Sequence, residues 1–157
     1  MDWDDYEKWG KEGIKWGSNY RKTIRNLPVR SKVKPGQVFN SIPNNPPEKP
    51  EPIDVIFDDF KSKIVPGITH WQHPRFFAYF PSNAAPASVF AEMLANTMGS
   101  QCMLWQTSPA ATELEEKVID WLRIAMGLPK VFKGIIQDTA SSATLTAVLT
   151  MRERTLG

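Results

Sequence analysis

One cysteine, Cys102, stands in the whole 157-residue chain, so no disulfide can form within it. That usage fits a reducing compartment, and a cytoplasmic location is the expectation. No apolar run approaches the roughly 20 residues that a membrane-crossing helix needs. The opening Met1-Asp2-Trp3-Asp4-Asp5 is acidic and lacks the basic and apolar regions of a secretory leader. An excess of either charge is missing too. A net charge of +2 asks for neither nucleic acid nor an anionic membrane surface as a partner. There is no internal repeat and no Gly-x-x-x-x-Gly-Lys phosphate loop.

What is present is a composition of the soluble globular kind, 41% hydrophobic and 23% charged, at a length that suggests about one domain. Six tryptophans and 13 prolines are more than such a chain usually carries, and most lie in its first half. Residues 4–27 read as an amphipathic helix, because Trp9, Trp16, Tyr20, Ile24 and Leu27 fall on one face. Gly10, Gly13 and Gly17 weaken it, each by about 1 kcal/mol relative to alanine in an exposed interior. A helix poor in propensity and rich in aromatics needs a packing partner.

Residues 28–52 form a connector dense in proline: Pro43, Pro46, Pro47, Pro50 and Pro52. Proline removes the amide donor and drives its predecessor toward extended geometry. Val29, Val33, Val38, Phe39 and Ile42 give the connector apolar contacts to make, so an ordered strap is expected. Ile53, Ile56, Phe57, Phe60 and Ile64 then make a helical stripe closed by Pro66-Gly67. The aromatic run over residues 69–82 has no period and reads as extended or looped. A further helix covers residues 86–98, with Gly99 past its end. Ser108-Pro109 suits the start of another, with serine at the N-cap and proline at the first helical position. Glu113, Glu115 and Glu116 are expected to complement its dipole. Leu114, Val118, Leu122 and Ala125 are its expected buried face, and Gly127 and Pro129 end it.

Gly134-Ile135-Ile136-Gln137 is the one segment that reads as a short buried strand. It turns at residues 138–142 into a last helix through Leu145, Val148, Leu149 and Arg152. A parallel strand needs neighbours and cover on both faces. The sequence offers no convincing neighbour, so the rest of the sheet is expected from elsewhere: further sequence or a separate polypeptide. Thr139, Ser141 and Ser142 cluster where this helix starts. A helix N-terminus presents unpaired N–H groups and a partial positive charge, and added hydroxyls make it a place for a phosphate dianion. A plain N-cap uses the same residue types. The motif alone leaves both readings open.

His73-Pro74-Arg75-Phe76-Phe77-Ala78-Tyr79-Phe80-Pro81-Ser82 resembles the HPxFFAYFP(T/S) segment of the group II pyridoxal-phosphate-dependent amino-acid decarboxylases. Trp105-Gln106-Thr107-Ser108-Pro109-Ala110-Ala111-Thr112-Glu113-Leu114-Glu115 resembles their W-x-x-SPAxTELE segment, and Thr139-Ala140-Ser141 their (S/T)AS turn. The likeness is closest to the aromatic-L-amino-acid decarboxylases and covers nearly the whole chain in the family's order. It implies an α/β fold: the mostly helical N-terminal part of an aspartate aminotransferase-like, fold type I enzyme. Residues 1–84 would then be a helical dimerisation extension with a Pro-rich strap. Residues 85–157 would begin the large cofactor-binding domain of a homodimer.

The resemblance also implies roles. Thr139, Ala140 and Ser141 would hold the phosphate of pyridoxal 5'-phosphate. Ser82, where the family most often has threonine, would lie near the substrate carboxylate. Trp71, Tyr79, Phe80 and Pro81 would line the substrate pocket, joined from the other subunit by Met103, where animal aromatic decarboxylases often have phenylalanine. The implied reaction converts an L-amino acid, aromatic by the closest likeness, to its amine and CO2. Met103, and Gln101 in place of an aliphatic residue, leave glutamate, histidine or a diamino acid open as substrates. A non-catalytic helical dimerisation module is the rival from another class. The family's Schiff-base lysine, its aspartate at the pyridine nitrogen and its ring-stacking histidine lie further on. No lysine here sits in a matching motif, so no catalytic residue is assigned and the chain alone is expected to be inactive. A remaining C-terminal part, on the same or a separate chain, would complete it. His70-x-x-His73 has a spacing that could suit a metal on a helix, but Pro74 argues against a helix there and no third ligand is evident.

Overall fold

An acidic residue starts the first helix. The Asp2 carboxylate accepts the Asp5 N–H at 2.8 Å and caps α1, Trp3–Thr23. Asp4 and Asp5 in its first turn, and Arg21 and Lys22 in its last, suit the helix dipole. A 3-10 turn, Ile24–Asn26, finishes it. In this computed structural model residues 1–80 and 84–157 are described, and Pro81, Ser82 and Asn83 lie outside the described residues. The chain divides into two units, Met1–Ala85 and Pro86–Gly157.

In the first unit α2, Ile53–Asp59, continues into a π-helical stretch, Phe60–Ile64, and a 3-10 turn, Val65–Gly67. There the Val65 N–H reaches back to the Phe60 carbonyl, one residue further than in an α-helix. Rings join the two helices. Trp9 meets Phe57 edge-on at 6.0 Å, Trp16 meets Phe60 at 5.0 Å, and Tyr20 stacks on Trp16 at 5.3 Å. Such pairs add about 0.5–1.5 kcal/mol each beyond their burial. This is the partner that the glycine-weakened α1 needed.

The strap is ordered over its first half. Ser31 Oγ donates to the Pro66 carbonyl at 3.0 Å, and Val38 lies against Gly67 so closely that a Cβ there would sit 2.8 Å from Val38 Cγ2. A 3-10 turn follows at Phe39–Ser41. Phe39 and Ile42, expected to make apolar contacts, are exposed, as are residues 43–52.

The second unit holds α3, Pro86–Met98; α4, Pro109–Ala125; and α5, Ala140–Leu156. Ser108 is the N-cap of α4 with Pro109 after it, but the serine side chain makes no capping bond. Its carbonyl instead accepts from the Thr112 N–H and hydroxyl, both at 3.2 Å. At the other end Gly127, at φ +68°, closes a Schellman motif. Leu128 N–H bonds Arg123 O at 3.0 Å, and Gly127 N–H bonds Ile124 O at 3.0 Å.

Three expectations change here. The segment 134–137 is in no ladder, and Ile135 and Ile136 are exposed. A strand exists only by pairing, and the described residues provide no second strand. The Ile136 N–H instead donates to Glu115 Oε1 at 3.0 Å. The apolar face of α4 is likewise largely uncovered: Leu114, Leu122 and Ala125 are exposed and Val118 is half-buried, while Glu115 and Ile119 meet the 134–136 segment, where Gly134 approaches Ile119. The glutamates stand beyond the first turn of α4, and two act as acceptors, Glu115 as above and Glu113 from Trp105 Nε1–H at 3.0 Å.

Among the described residues Ile24 is the only buried hydrophobic one. The accessible surface is 13733 Å². One compact domain of this mass would expose about 8,000 Å², and two half-sized domains about 10,000 Å². Large apolar side chains of α3, α4 and α5 are among those exposed, including Phe90, Leu94, Leu122, Leu145 and Val148, and surface of that kind marks an interface rather than a finished exterior.

Candidate functional site

The hydroxyl turn at the start of α5 is built on a capping box. Thr139 is the N-cap. Its Oγ1 accepts the Ser142 N–H at 3.2 Å, and its own N–H donates to Ser142 Oγ at 3.2 Å. The plain-cap reading of this cluster therefore holds for Thr139 and Ser142. Ala140 and Ser141 are different. They occupy the first two helical positions, whose N–H groups have no intrahelical acceptor. Neither of those N–H groups, nor the exposed Ser141 hydroxyl, carries a hydrogen bond among the described residues. Two backbone donors and one hydroxyl thus face solvent at the positive end of a 17-residue helix, a donor set that fits a phosphate. The cap fixes the turn, and its neighbours are left free to bind.

Asp138 works against this. Its carboxylate takes the Ser142 hydroxyl, and that bond holds it below the usual carboxylate range. It is fully ionised at neutral pH, next to the place where a second anion would sit. Sequence reading placed Ser142 in the cluster but missed its pairing with Thr139 and Asp138. The three-residue spacing of Thr139 and Ser142, which matches a capping box with serine in place of the usual acidic or amide residue, was the available signal.

In the other unit the aromatic run forms a stack. Trp71 lies against Phe76 at 4.9 Å and Tyr79 at 5.5 Å, with interplanar angles of 29° and 14°. Tyr79 stands at φ +57°, the left-handed region that a non-glycine residue enters at a cost of about 1–3 kcal/mol. Trp71 and Tyr79 are thus brought together, whereas the Phe80 side chain is fully exposed. Pro81 and Ser82 lie outside the described residues. Met103 is exposed in the loop before α4. His70 and His73 are buried, and their Nδ1 atoms are engaged by protein groups, His70 with the Tyr20 hydroxyl at 2.7 Å and His73 with the Arg75 N–H at 3.0 Å.

Residues 35–157 match the family described as the pyridoxal-dependent decarboxylase conserved domain. Phenylacetaldehyde synthase of Arabidopsis thaliana is 41% identical over 162 aligned positions, which take in 99% of this chain and 33% of the relative. The crystal structure of Catharanthus roseus tryptophan decarboxylase in complex with L-tryptophan superposes with a TM-score of 0.93 at 37% identity, covering 99% of this chain and 35% of that one. The structure of Oryza sativa TDC with PLP and tryptamine gives 0.91 at 32% identity, with the same coverage. The chain therefore spans about a third of the length of the proteins it matches.

Proposed function

The chain belongs to the pyridoxal-dependent decarboxylase family, and from that premise we propose that it supplies the N-terminal third of an enzyme that decarboxylates aromatic L-amino acids with pyridoxal 5'-phosphate. Its fold is the mostly helical N-terminal portion of the aspartate aminotransferase-like, fold type I architecture. The observation that carries the proposal is the free donor set at α5, Ala140 N–H, Ser141 N–H and Ser141 Oγ, held in place by the Thr139 cap. These residues bind the coenzyme phosphate. Bound there, the coenzyme supplies an electron sink for the bond to the departing carboxylate.

The remaining roles follow from residue chemistry. Trp71, Tyr79 and Phe80, with Pro81, give an aromatic wall for the substrate side chain, and Met103 adds a flexible apolar contact from the partner subunit. The Ser82 hydroxyl orients the substrate carboxylate. The unit containing α1 and α2 serves as the dimer clasp of a homodimer, which accounts for the aromatic groove of about 300 Å³ lined by Tyr6, Trp9, Ile53, Ile56 and Phe57. No described helix is long and apolar enough to cross a membrane, and a cytoplasmic setting is part of the proposal.

The test is a chimaera in which this chain replaces the matching third of the Catharanthus enzyme. CO2 release and product identity are measured on L-tryptophan, L-tyrosine, L-glutamate, L-histidine and L-ornithine. The reading expects turnover of the aromatic pair and release of the amine rather than the aldehyde. A chimaera that folds and dimerises but takes up no coenzyme, or one that prefers glutamate, refutes it.

A further inference from the structure

We infer that Tyr20, His70 and His73 are positioning residues: a two-histidine latch that fixes the aromatic segment 71–80 to the C-terminal end of α1. The inference rests on the substrate-wall reading for its purpose, but its geometry stands apart from it. His70 and His73, each 3% exposed, are the only buried polar residues among those described. They flank Trp71, in a stretch where Phe77, Tyr79 and Phe80 are open to solvent. A buried imidazole needs partners on its ring nitrogens. Two of those found here come from α1 and the turn after it, Tyr20 and Arg25, and the third is the Arg75 N–H of the segment itself.

His73 is fixed in one state. Its Nδ1 accepts the Arg75 N–H at 3.0 Å, so that nitrogen carries a lone pair. The proton of the neutral ring is therefore on Nε2, which donates to the Arg25 carbonyl at 3.4 Å. His70 Nδ1 bonds the Tyr20 hydroxyl at 2.7 Å, and the His70 N–H donates to the Val29 carbonyl at 2.9 Å. Arg21 Nη1 reaches Gln72 Oε1 at 3.1 Å on the exposed side. Segment 70–75 is thereby sewn to residues 20–29 from both sides of Trp71. With Trp71 held, Phe76 and Tyr79 have a fixed ring to stack on, and the left-handed turn at Tyr79 has something to hold it.

The His73 arm of the latch works only with a neutral ring. Protonated His73 would turn an N–H toward the Arg75 N–H and lose that bond. The groups that face the pair are the Tyr20 phenol from α1, the carbonyls of Arg25 and Val29, and each other. The charged side chains of the adjoining turns, Arg21, Arg25 and Arg75, are all cationic. Among the described residues no carboxylate lies within ion-pair distance of either histidine. Burial, with His73 adding to it, pushes His70 below the ordinary histidine value.

The chain's two histidines are both in the latch, so ring-15N histidine labelling of the 157-residue chain reports on nothing else. Ring-nitrogen NMR should show His73 as the Nε2–H tautomer at neutral pH and His70 titrating below free imidazole. The ring-current shifts that Trp71 imposes on Phe76 and Tyr79 protons should vanish along the same acid titration, before helix content falls. Tyr20→Phe and His73→Ala should abolish those shifts at neutral pH. His73→Asn, whose side-chain oxygen can accept the Arg75 N–H, should restore them. Mixed tautomers at His73 would overturn the latch, as would ring shifts indifferent to histidine protonation. The titration of the unaltered chain decides the matter even where a variant fails to fold. An intact latch in a chimaera that turns over no aromatic substrate would refute the pocket reading and leave the latch standing.

Discussion

Consider Ser141→Ala. The hydroxyl removed is exposed and makes no hydrogen bond among the described residues. The helix that carries it is capped one step earlier, by Thr139. Its loss should change folding stability by no more than about 0.5 kcal/mol, as for an ordinary surface substitution. Phosphate binding is another matter. A hydrogen bond to a charged group contributes about 1.5–3 kcal/mol, which is roughly 10- to 150-fold in affinity. Because Ser141 stands at an open helix end, the lower figure is expected, about tenfold. The assay is titration of the chimaera with pyridoxal 5'-phosphate and, in parallel, with pyridoxal, which lacks the phosphate. The substitution should weaken the first ligand about tenfold and leave the second unchanged. Thr139→Ala is the contrasting control. It removes the cap, should cost about 1 kcal/mol of stability, and should lower the melting temperature of the free chain. Equal loss of both ligands on Ser141→Ala, or no loss of either, would refute the division of labour between cap and binding donors.

Asp138→Asn removes a negative charge beside the phosphate place while keeping an oxygen for the Ser142 hydroxyl; calorimetric titration should show several-fold tighter coenzyme phosphate binding, and unchanged affinity would mean the carboxylate does not face the anion. The pH dependence of the first unit has a defined sign. His70 is depressed in the folded chain, so its contribution is present above the unfolded value of about 6.5 and is lost as pH falls through the folded one. Burial raises the Tyr20 hydroxyl, so its contribution is present below about 10 and is lost as pH rises through the folded value; thermal unfolding should therefore be highest between these limits, and a melting temperature that climbs into acid would contradict it. Gly67→Ala places a Cβ 2.8 Å from Val38 Cγ2, whose branched side chain has little room to turn; a loss of about 1–3 kcal/mol is expected, with Val38→Ala restoring most of it in denaturant titrations of the double variant.

The helices were legible because their signals are local. Apolar spacing marked α1 and α2, Ser108-Pro109 marked the start of α4, and Gly99 and Gly127 marked helix ends that the structure places at positive φ. Periodicity identifies an apolar face but does not say what covers it. That is why Leu114 and Leu122 were expected inside and stand outside. The 134–137 segment stays unpaired for the same kind of reason: strand formation belongs to a pair of segments, and the described residues hold no second one, as the expectation of a sheet completed from elsewhere requires. At the site, the hydroxyl turn could be found from residue types, whereas the split between cap and free donors depends on geometry. His70-x-x-His73 drew notice as a metal spacing. Its use as hydrogen-bonding rings depends on Tyr20 and Arg25, some 50 residues away in sequence, which no local pattern joins to it.

The π-helical stretch Phe60–Ile64 holds one residue in reserve. The wider winding takes up one residue more than a regular turn would. Phe57 before it and Phe60 at its start face the rings of α1, and Gly67 meets Val38 after it. Deleting a single residue between 60 and 64 would let the helix run as an ordinary α-helix, and because the wider turn had absorbed that residue, everything downstream would keep nearly its phase. A deletion in the regular turns at Ile53–Asp59 has no such reserve. It would swing everything downstream by about 100° around the axis, so that Val38 would face the wrong side of the turn and Ser31 would lose the Pro66 carbonyl. The same one-residue loss should therefore be tolerated in one half of this helix and damaging in the other.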